Sequence, residues 1–216
     1  MNDLLDDLPS PLPARETMAE GAVLLRGFAR DRAEAVMDEV TRITAVSPFR
    51  HMTTPGGFRM SVAMTNCGRV GWISDRKGYR YDPVDPETGR GWPPLPPVLL
   101  DLARTAATEA GFADFAPDVC LINRYAPGTR LSLHQDKDER DMSAPIVSVS
   151  IGLPAVFLFG GTRRADRPRR FRLDHGDVAV WGGAARLAYH GIAPLAEGEH
   201  RLTGRHRINL TFRNAL

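Results

Sequence analysis

Lysine is scarce in this chain. Lys77 and Lys137 are the only two, so arginine carries the positive charge. A formal net charge of +2 over 216 residues excludes a polycationic protein; it permits a nucleic-acid partner through a local patch without demanding one. The two cysteines, Cys67 and Cys120, are too few for a disulfide framework or a thiolate zinc site. Both read as free thiols in a reducing compartment. No window approaches 18 consecutive apolar residues, which excludes a membrane-spanning helix. The stretch MNDLLDDLPSPLP is acidic and proline-rich, with neither a basic nor an apolar signal region. These absences lead to the expectation of a cytoplasmic protein, monomeric by default. Internal repeats and low-complexity tracts are also missing. What remains is an ordinary globular composition, 43% hydrophobic and 25% charged, in a chain long enough for a substantial core.

Residues 1–20 read as a loose arm. Ala33, Val36, Met37, Val40 and Ile43 recur at helical spacing and predict a helix over 31–46. Residues 47–97 carry many Gly and Pro together with Trp72, Tyr79, Tyr81 and Trp92; short hairpins and loops are expected there, with FRMSVAMTNCG the best strand. Pro96-Pro97 opens and Gly111 closes a second helix over 98–110. From Pro117 the pattern turns to short strands: 118–125, 130–134, 145–152, 155–160, 170–174, 177–182, 186–192 and 206–213. So many short strands predict a jelly-roll-type double sheet or barrel with flanking helices, an α+β fold that is mainly β.

Strand side chains alternate faces. In HRINLTFR, Ile208, Leu210 and Phe212 occupy one face, and Arg207, Asn209, Thr211 and Arg213 the other. The bland interpretation is an antiparallel strand with its polar face in water. Other strands repeat the pattern, however. Asn123 shares a face with Tyr125, Ser148 with Ser150, and Ser132 with His134 and, if the strand persists, Asp136. Faces such as these, turned inward together, would bury arginines that demand an anion, and two guanidiniums suit a dicarboxylate.

His134 and Asp136 have the spacing of a metal pair, and His190 in RLAYHGI ends another strand. Two histidines and one carboxylate leave coordination positions open, as in the facial triad of non-haem Fe(II) oxygenases. His-x-Asp alone is a weak motif; the distal histidine and downstream arginines strengthen it. His51, His175 and His200 read as loop or turn residues, and His206 faces away from Arg207 by parity.

The segments NRYAPGTRLSLHQDKDE, VWGGAARLAYHGI and RINLTFR strongly resemble the AlkB family of Fe(II)- and 2-oxoglutarate-dependent nucleic-acid dealkylases. SPFRHMTTPGGFRMSVAMTNCGRVGW extends the resemblance back over nearly the whole chain from about residue 20. The resemblance implies a double-stranded β-helix (jelly-roll) dioxygenase core over 98–216, preceded by a helix and nucleotide-recognition lid over 21–97, in one structural domain. It implies that His134, Asp136 and His190 bind iron. Arg207 would pair with the distal carboxylate of 2-oxoglutarate, helped by Tyr125 and Asn209, while Arg213 and Asn123 would sit near the proximal carboxylate and Asp136. With O2, the cosubstrate would leave as succinate and CO2, an N-methyl group would be hydroxylated, and formaldehyde would be released.

The substrates so implied are 1-methyladenine and 3-methylcytosine in single-stranded DNA, with RNA or double-stranded DNA as further partners and no membrane. A base must leave the stack to reach such a site. The resemblance puts Trp72 over that base with His134 on its other face, and Tyr79 and Tyr81 at lid positions touching the nucleotide. Taken alone, these aromatics read rather as a small satellite core, and it is the resemblance that reverses this. Asp138 has a physical rationale: methylation at N1 of adenine or N3 of cytosine makes a cation, which a carboxylate favours over the neutral base. Glu139 reads as facing solvent. RRADRPRRFR holds six arginines in ten positions and reads as a solvated loop, with Arg164 alone expected at a phosphate. A dioxygenase of the same fold acting on a protein or small molecule would lack the lid aromatics and the base-reading acid. A non-catalytic jelly roll would lack a triad ligand, and a cupin would use more histidines.

Overall fold

A computed structural model describes residues 14–216. Its frame is a large sheet of seven strands in the order β1-β2-β11-β8-β13-β6-β3 and a small sheet in the order β10-β9-β12-β7. The large sheet contains β1 (Arg15–Ala19), β2 (Ala22–Leu25), β3 (Ala63–Gly68), β6 (Val119–Tyr125), β8 (Ile146–Gly152), β11 (Val178–Trp181) and β13 (Arg207–Arg213). The small sheet contains β7 (Leu131–His134), β9 (Ala155–Phe159), β10 (Arg169–Leu173) and β12 (His190–Ile192). A separate hairpin pairs β4 (Gly71–Asp75) with β5 (Gly78–Asp82). Every strand pair in the two main sheets is antiparallel.

The two helices cover one face of the large sheet. In α1 (Ala33–Val46) the buried residues Ala33, Val36, Val40 and Ile43 follow helical spacing, and α2 (Pro97–Glu109) starts with proline at its first position. They pack on Ile208, Leu210 and Phe212, the apolar face of β13. The opposite face of the large sheet meets the small sheet. The polar residues of β13 are therefore also interior, and all seven of its residues are buried. The bland interpretation of a water-facing polar side fails for this strand.

All eight strands expected after Pro117 form, with the last of the 186–192 run confined to His190–Ile192. Both helices form as the spacing predicts. The expected division of the chain needs two corrections. Residues 1–13 of the arm lie outside the described residues, but Arg15–Ala19 pairs with β2 rather than running loose. The stretch 21–97 is not only helix and lid, because β2 and β3 are strands of the large sheet itself. Ala22–Leu25 is buried throughout, as expected of a strand covered on both faces. Cys67 and Cys120 face each other across β3 and β6 as buried free thiols, in line with the sequence. Among the described residues, no helix is long and apolar enough to cross a membrane.

Candidate active site

A cavity of about 570 Å³ lies between the two sheets. Its floor comes from the register of the large sheet. Arg207 of β13 stands opposite Tyr125 of β6, Asn209 stands between Asn123 and Ser150, and Thr211 stands opposite Ser148. Period-two alternation and this register put every one of those side chains on one buried surface.

The small sheet supplies the histidines. His134 and His190 are direct cross-strand partners, with ring centroids 4.4 Å apart. Gly191 makes that approach possible, since a Cβ there would lie 2.6 Å from the Leu131 carbonyl oxygen. The third residue is not on a strand. β7 ends at His134, and Asp136 is turned inward by two arginines instead. Arg186 Nη1 donates to its backbone oxygen at 2.8 Å, and Arg213 Nε and Nη2 donate to Oδ2 at 3.0 and 2.7 Å.

His134, Asp136 and His190 each offer a ligand atom, and these atoms lie within 4.8 Å of one another. Asp136 Oδ1 is 3.6 Å from His134 Nε2, and Oδ2 is 3.7 Å from His190 Nε2. Each imidazole donates Nδ1–H to a backbone carbonyl, His134 to Ser132 at 2.9 Å and His190 to Ala188 at 3.0 Å. That bond fixes the tautomer with a free lone pair on Nε2. Burial, then the neighbouring His134, lowers the His190 pKa to about 4, so the ring is neutral at pH 7. Burial alone would raise the Asp136 pKa, but Arg213 and the two imidazoles outweigh it and hold the carboxyl well below its usual range. Two imidazoles and a carboxylate fit a divalent iron with open positions.

Arg207 is 1% exposed. Its Nη2 donates to Ser150 Oγ at 2.9 Å, and its guanidinium lies 4.9 Å from the Tyr125 ring centroid. Nε and Nη1 have no partner among the described residues, and burial pushes this guanidinium below its ordinary pKa. A buried cation with two free donors is a site built for an anion. Arg213 Nη1 and Asn123 Oδ1 are also buried and unpartnered. Asn209 is satisfied by Ser148, Val149 and Thr211, with Asn123 Nδ2 donating to its Oδ1 at 3.2 Å. A dicarboxylate such as 2-oxoglutarate fits the free guanidinium donors of Arg207 and Arg213.

At the open end, Trp72 and Tyr79 stack with centroids 5.6 Å apart and planes 13° from parallel. Trp72 Nε1 donates to Asp138 Oδ2 at 2.9 Å. Arg164 Nη1 donates to the Leu133 carbonyl at 3.1 Å, with its guanidinium 5.8 Å over the Tyr189 ring. All four of Trp72, Tyr79, Asp138 and Arg164 line the cavity.

Two expectations need correction. Tyr81 does not line the cavity; its hydroxyl donates to Glu139 Oε1 at 2.5 Å, and its ring packs by Val70, Val119 and Ala215. Glu139 does not face solvent. It is 7% exposed and pairs with Arg186 at 3.1 Å and Arg213 at 3.3 Å. Arg186 was missed in the sequence altogether. An arginine in GGAARL carries no periodic sign that it is 3% exposed.

Residues 21–213 match the model of the 2OG-Fe(II) oxygenase superfamily. The chain is 57% identical over 212 residues to the alpha-ketoglutarate-dependent dioxygenase AlkB of Escherichia coli strain K12, covering 98% of each chain. It is 47% identical over 182 residues to the AlkB homolog of Caulobacter vibrioides, covering 84% of this chain and 81% of that one. The solved structure of OsALKBH1 superposes with a TM-score of 0.82 at 28% identity, covering 93% of this chain and 99% of its own. With the triad, the unpaired buried arginine and the paired sheets already in place, these matches make the chain a member of the AlkB family of 2OG-Fe(II) oxygenases.

Proposed function

We propose that the protein is an oxidative demethylase that repairs 1-methyladenine and 3-methylcytosine in single-stranded DNA, with RNA and double-stranded DNA as further substrates, and that it works as a cytoplasmic monomer. The observation that carries this reading is a single cavity with a His2Asp cluster in its wall, an anion-seeking Arg207 in its floor and the stacked Trp72–Tyr79 pair at its open end. Iron and 2-oxoglutarate, when bound, supply O2-dependent hydroxylation of a methyl group, with succinate and CO2 as coproducts.

His134, Asp136 and His190 hold the metal. Arg207 takes the distal carboxylate of the cosubstrate, with Tyr125 packed against the guanidinium and Asn209 setting the floor. Asn123 and the free Nη1 of Arg213 meet the other end. The Trp72–Tyr79 pair receives a flipped base, since aromatic faces bind bases by stacking. Asp138 lies beside Trp72, and its charge favours a cationic methylated base over a neutral one. Arg164 contacts a phosphate. The hydroxymethyl group formed on the base is lost as formaldehyde.

The test is release of formaldehyde and succinate from a short single strand carrying one 1-methyladenine, with His134→Ala as control. Turnover in the wild type alone supports the reading. Succinate without any strand-dependent formaldehyde keeps the oxygenase and rejects the nucleic-acid substrate.

A further inference from the structure

Trp72 and Tyr81 are direct cross-strand partners in the β4–β5 hairpin. Their donor groups go to consecutive acids, Trp72 Nε1 to Asp138 at 2.9 Å and Tyr81 Oη to Glu139 at 2.5 Å. Both acids sit in the irregular segment that begins at Gln135 and also holds the triad carboxylate Asp136. Glu139 Oε1, which accepts from Tyr81, also lies 3.3 Å from Arg213 Nε. The same Nε donates to Asp136 Oδ2 at 3.0 Å. One guanidinium edge is thus shared between the triad carboxylate and an acid held by the hairpin. Arg186 closes the network by bonding Glu139 Oε2, the Asp136 backbone oxygen and the Ala144 backbone oxygen. Nothing in the dealkylation chemistry requires Tyr81 or Glu139, and neither lines the cavity.

We propose that Tyr81 and Glu139 are positioning residues that couple the substrate-facing hairpin to the metal site through Arg213. This inference rests on the reading of the Trp72 ring as the place where the substrate stacks. The hydroxyl of Tyr81 occupies one lone pair of Glu139 and so limits the pull of Glu139 on Arg213. Arg213 is then left to hold Asp136 in one rotation. A base seated on Trp72 shifts or stiffens the hairpin, and the paired Tyr81 carries that change to Glu139 and so to the orientation of Asp136. Such a path has the parts that coupling between sites needs: contiguous bonds and a shared donor with two alternative acceptors. Its use is to make oxidation efficient only when a base is present.

The first experiment omits nucleic acid. Full-length wild type, Tyr81→Phe and Ser74→Ala are titrated anaerobically with Co(II) in the presence of 2-oxoglutarate, following the cobalt absorption bands. Ser74 anchors the same hairpin through the Thr53 carbonyl at 2.8 Å but lies outside the relay, so it controls for general loosening. Tyr81→Phe keeps the ring and the fold. Its Co(II) affinity is expected to fall by roughly threefold or more, less than the ten- to hundredfold typical of a direct partner of a ligand, with a shift in the absorption bands. Ser74→Ala should titrate like wild type. Unchanged or tighter Co(II) binding in Tyr81→Phe, or an equal loss in Ser74→Ala, overturns the proposal.

The second readout is succinate formed per formaldehyde on a methylated strand. The ratio is expected to rise several-fold in Tyr81→Phe, and an unchanged ratio overturns the coupling. A wild type that turns over no strand, together with an altered cobalt titration in Tyr81→Phe, would refute the nucleic-acid reading while supporting the relay to the metal.

Discussion

Arg213 reaches across from the last strand to grip Asp136, with Nε and Nη2 converging on the same carboxylate oxygen at 3.0 and 2.7 Å. The pair is buried, with side-chain exposures of 6% and 10%. A planar fork of this kind fixes rotation as well as supplying charge. It explains how a triad ligand can sit beyond the end of its strand and still be held in place.

Arg213→Lys should therefore keep the charge and lose the grip. An ammonium meets one acceptor at a time with no fixed plane, while Asp136 and Glu139 both need satisfying. Metal affinity is expected to fall about ten- to hundredfold, the usual effect of removing a partner of a ligand. Calorimetric titration with Mn(II) checks this. An affinity equal to the wild type would mean that charge alone orients the carboxylate.

Arg207 behaves differently because it has no carboxylate partner among the described residues. Arg207→Met removes an unpaired buried cation, and such replacements are neutral or stabilising. The melting temperature of the ligand-free protein should stay level or rise. With Mn(II) present, 2-oxoglutarate at about a hundred times its Kd should stabilise the wild type by about 2.7 kcal/mol. The variant should show little of that shift at the same concentration. Thermal scans with and without the cosubstrate test both halves, and a lower ligand-free melting temperature would contradict the first.

Much of this site was legible in the sequence for a definite reason. Parity along β13, β6 and β8 is a local property, so the set of Arg207, Asn209, Asn123, Tyr125 and Ser150 could be assembled before any register was known. The spacing of His134 and Asp136 is equally local. Ala22–Leu25 was not legible, because a short run buried on both faces has no alternation to separate it from a buried helix. Tyr81 and Glu139 failed for another reason. Asp-Lys-Asp-Glu-Arg looks like a solvated run, and only the placement of the separate hairpin shows that Glu139 is enclosed by Tyr81, Arg186 and Arg213.

A second buried pair, remote from the triad in sequence, predicts a pH dependence of stability. Arg50 and Asp85 form a bidentate ion pair, and Ser47 Oγ also donates to Asp85 Oδ2 at 2.7 Å. Asp85 is 1% exposed. Burial would raise its pKa, but bonds from Arg50, Ser47 and the Glu87 N–H hold it below the ordinary carboxylate value. As pH falls, the unfolded chain takes up this proton first. The stability contributed is full above the unfolded pKa of about 3.9 and is lost as pH drops toward the folded value. Asp85→Asn should cost about 3 kcal/mol at pH 7 by taking from Arg50 its buried bidentate carboxylate and leaving only the more distant, exposed Glu87 at 3.5 Å. The gap should narrow by about 1 kcal/mol at pH 3. Urea unfolding at the two pH values decides it, and a gap that widens in acid would reverse the assigned sign.

Asp138 and Trp72 allow stacking and charge recognition to be separated. Trp72→Ala removes the ring, and base stacking is worth about 1–3 kcal/mol, so KM for a methylated strand should rise roughly five- to a hundredfold. Little of that change should depend on whether the lesion is cationic. Asp138→Asn keeps an acceptor for the Trp72 N–H, 2.9 Å away, and removes the charge. Its loss should fall on 1-methyladenine and 3-methylcytosine, which carry a positive charge, and spare a neutral alkylated base of similar shape. The measurement is kcat/KM for a cationic and a neutral lesion in the same strand. An equal loss on both would make Asp138 a brace for Trp72 and leave discrimination to the shape of the cavity.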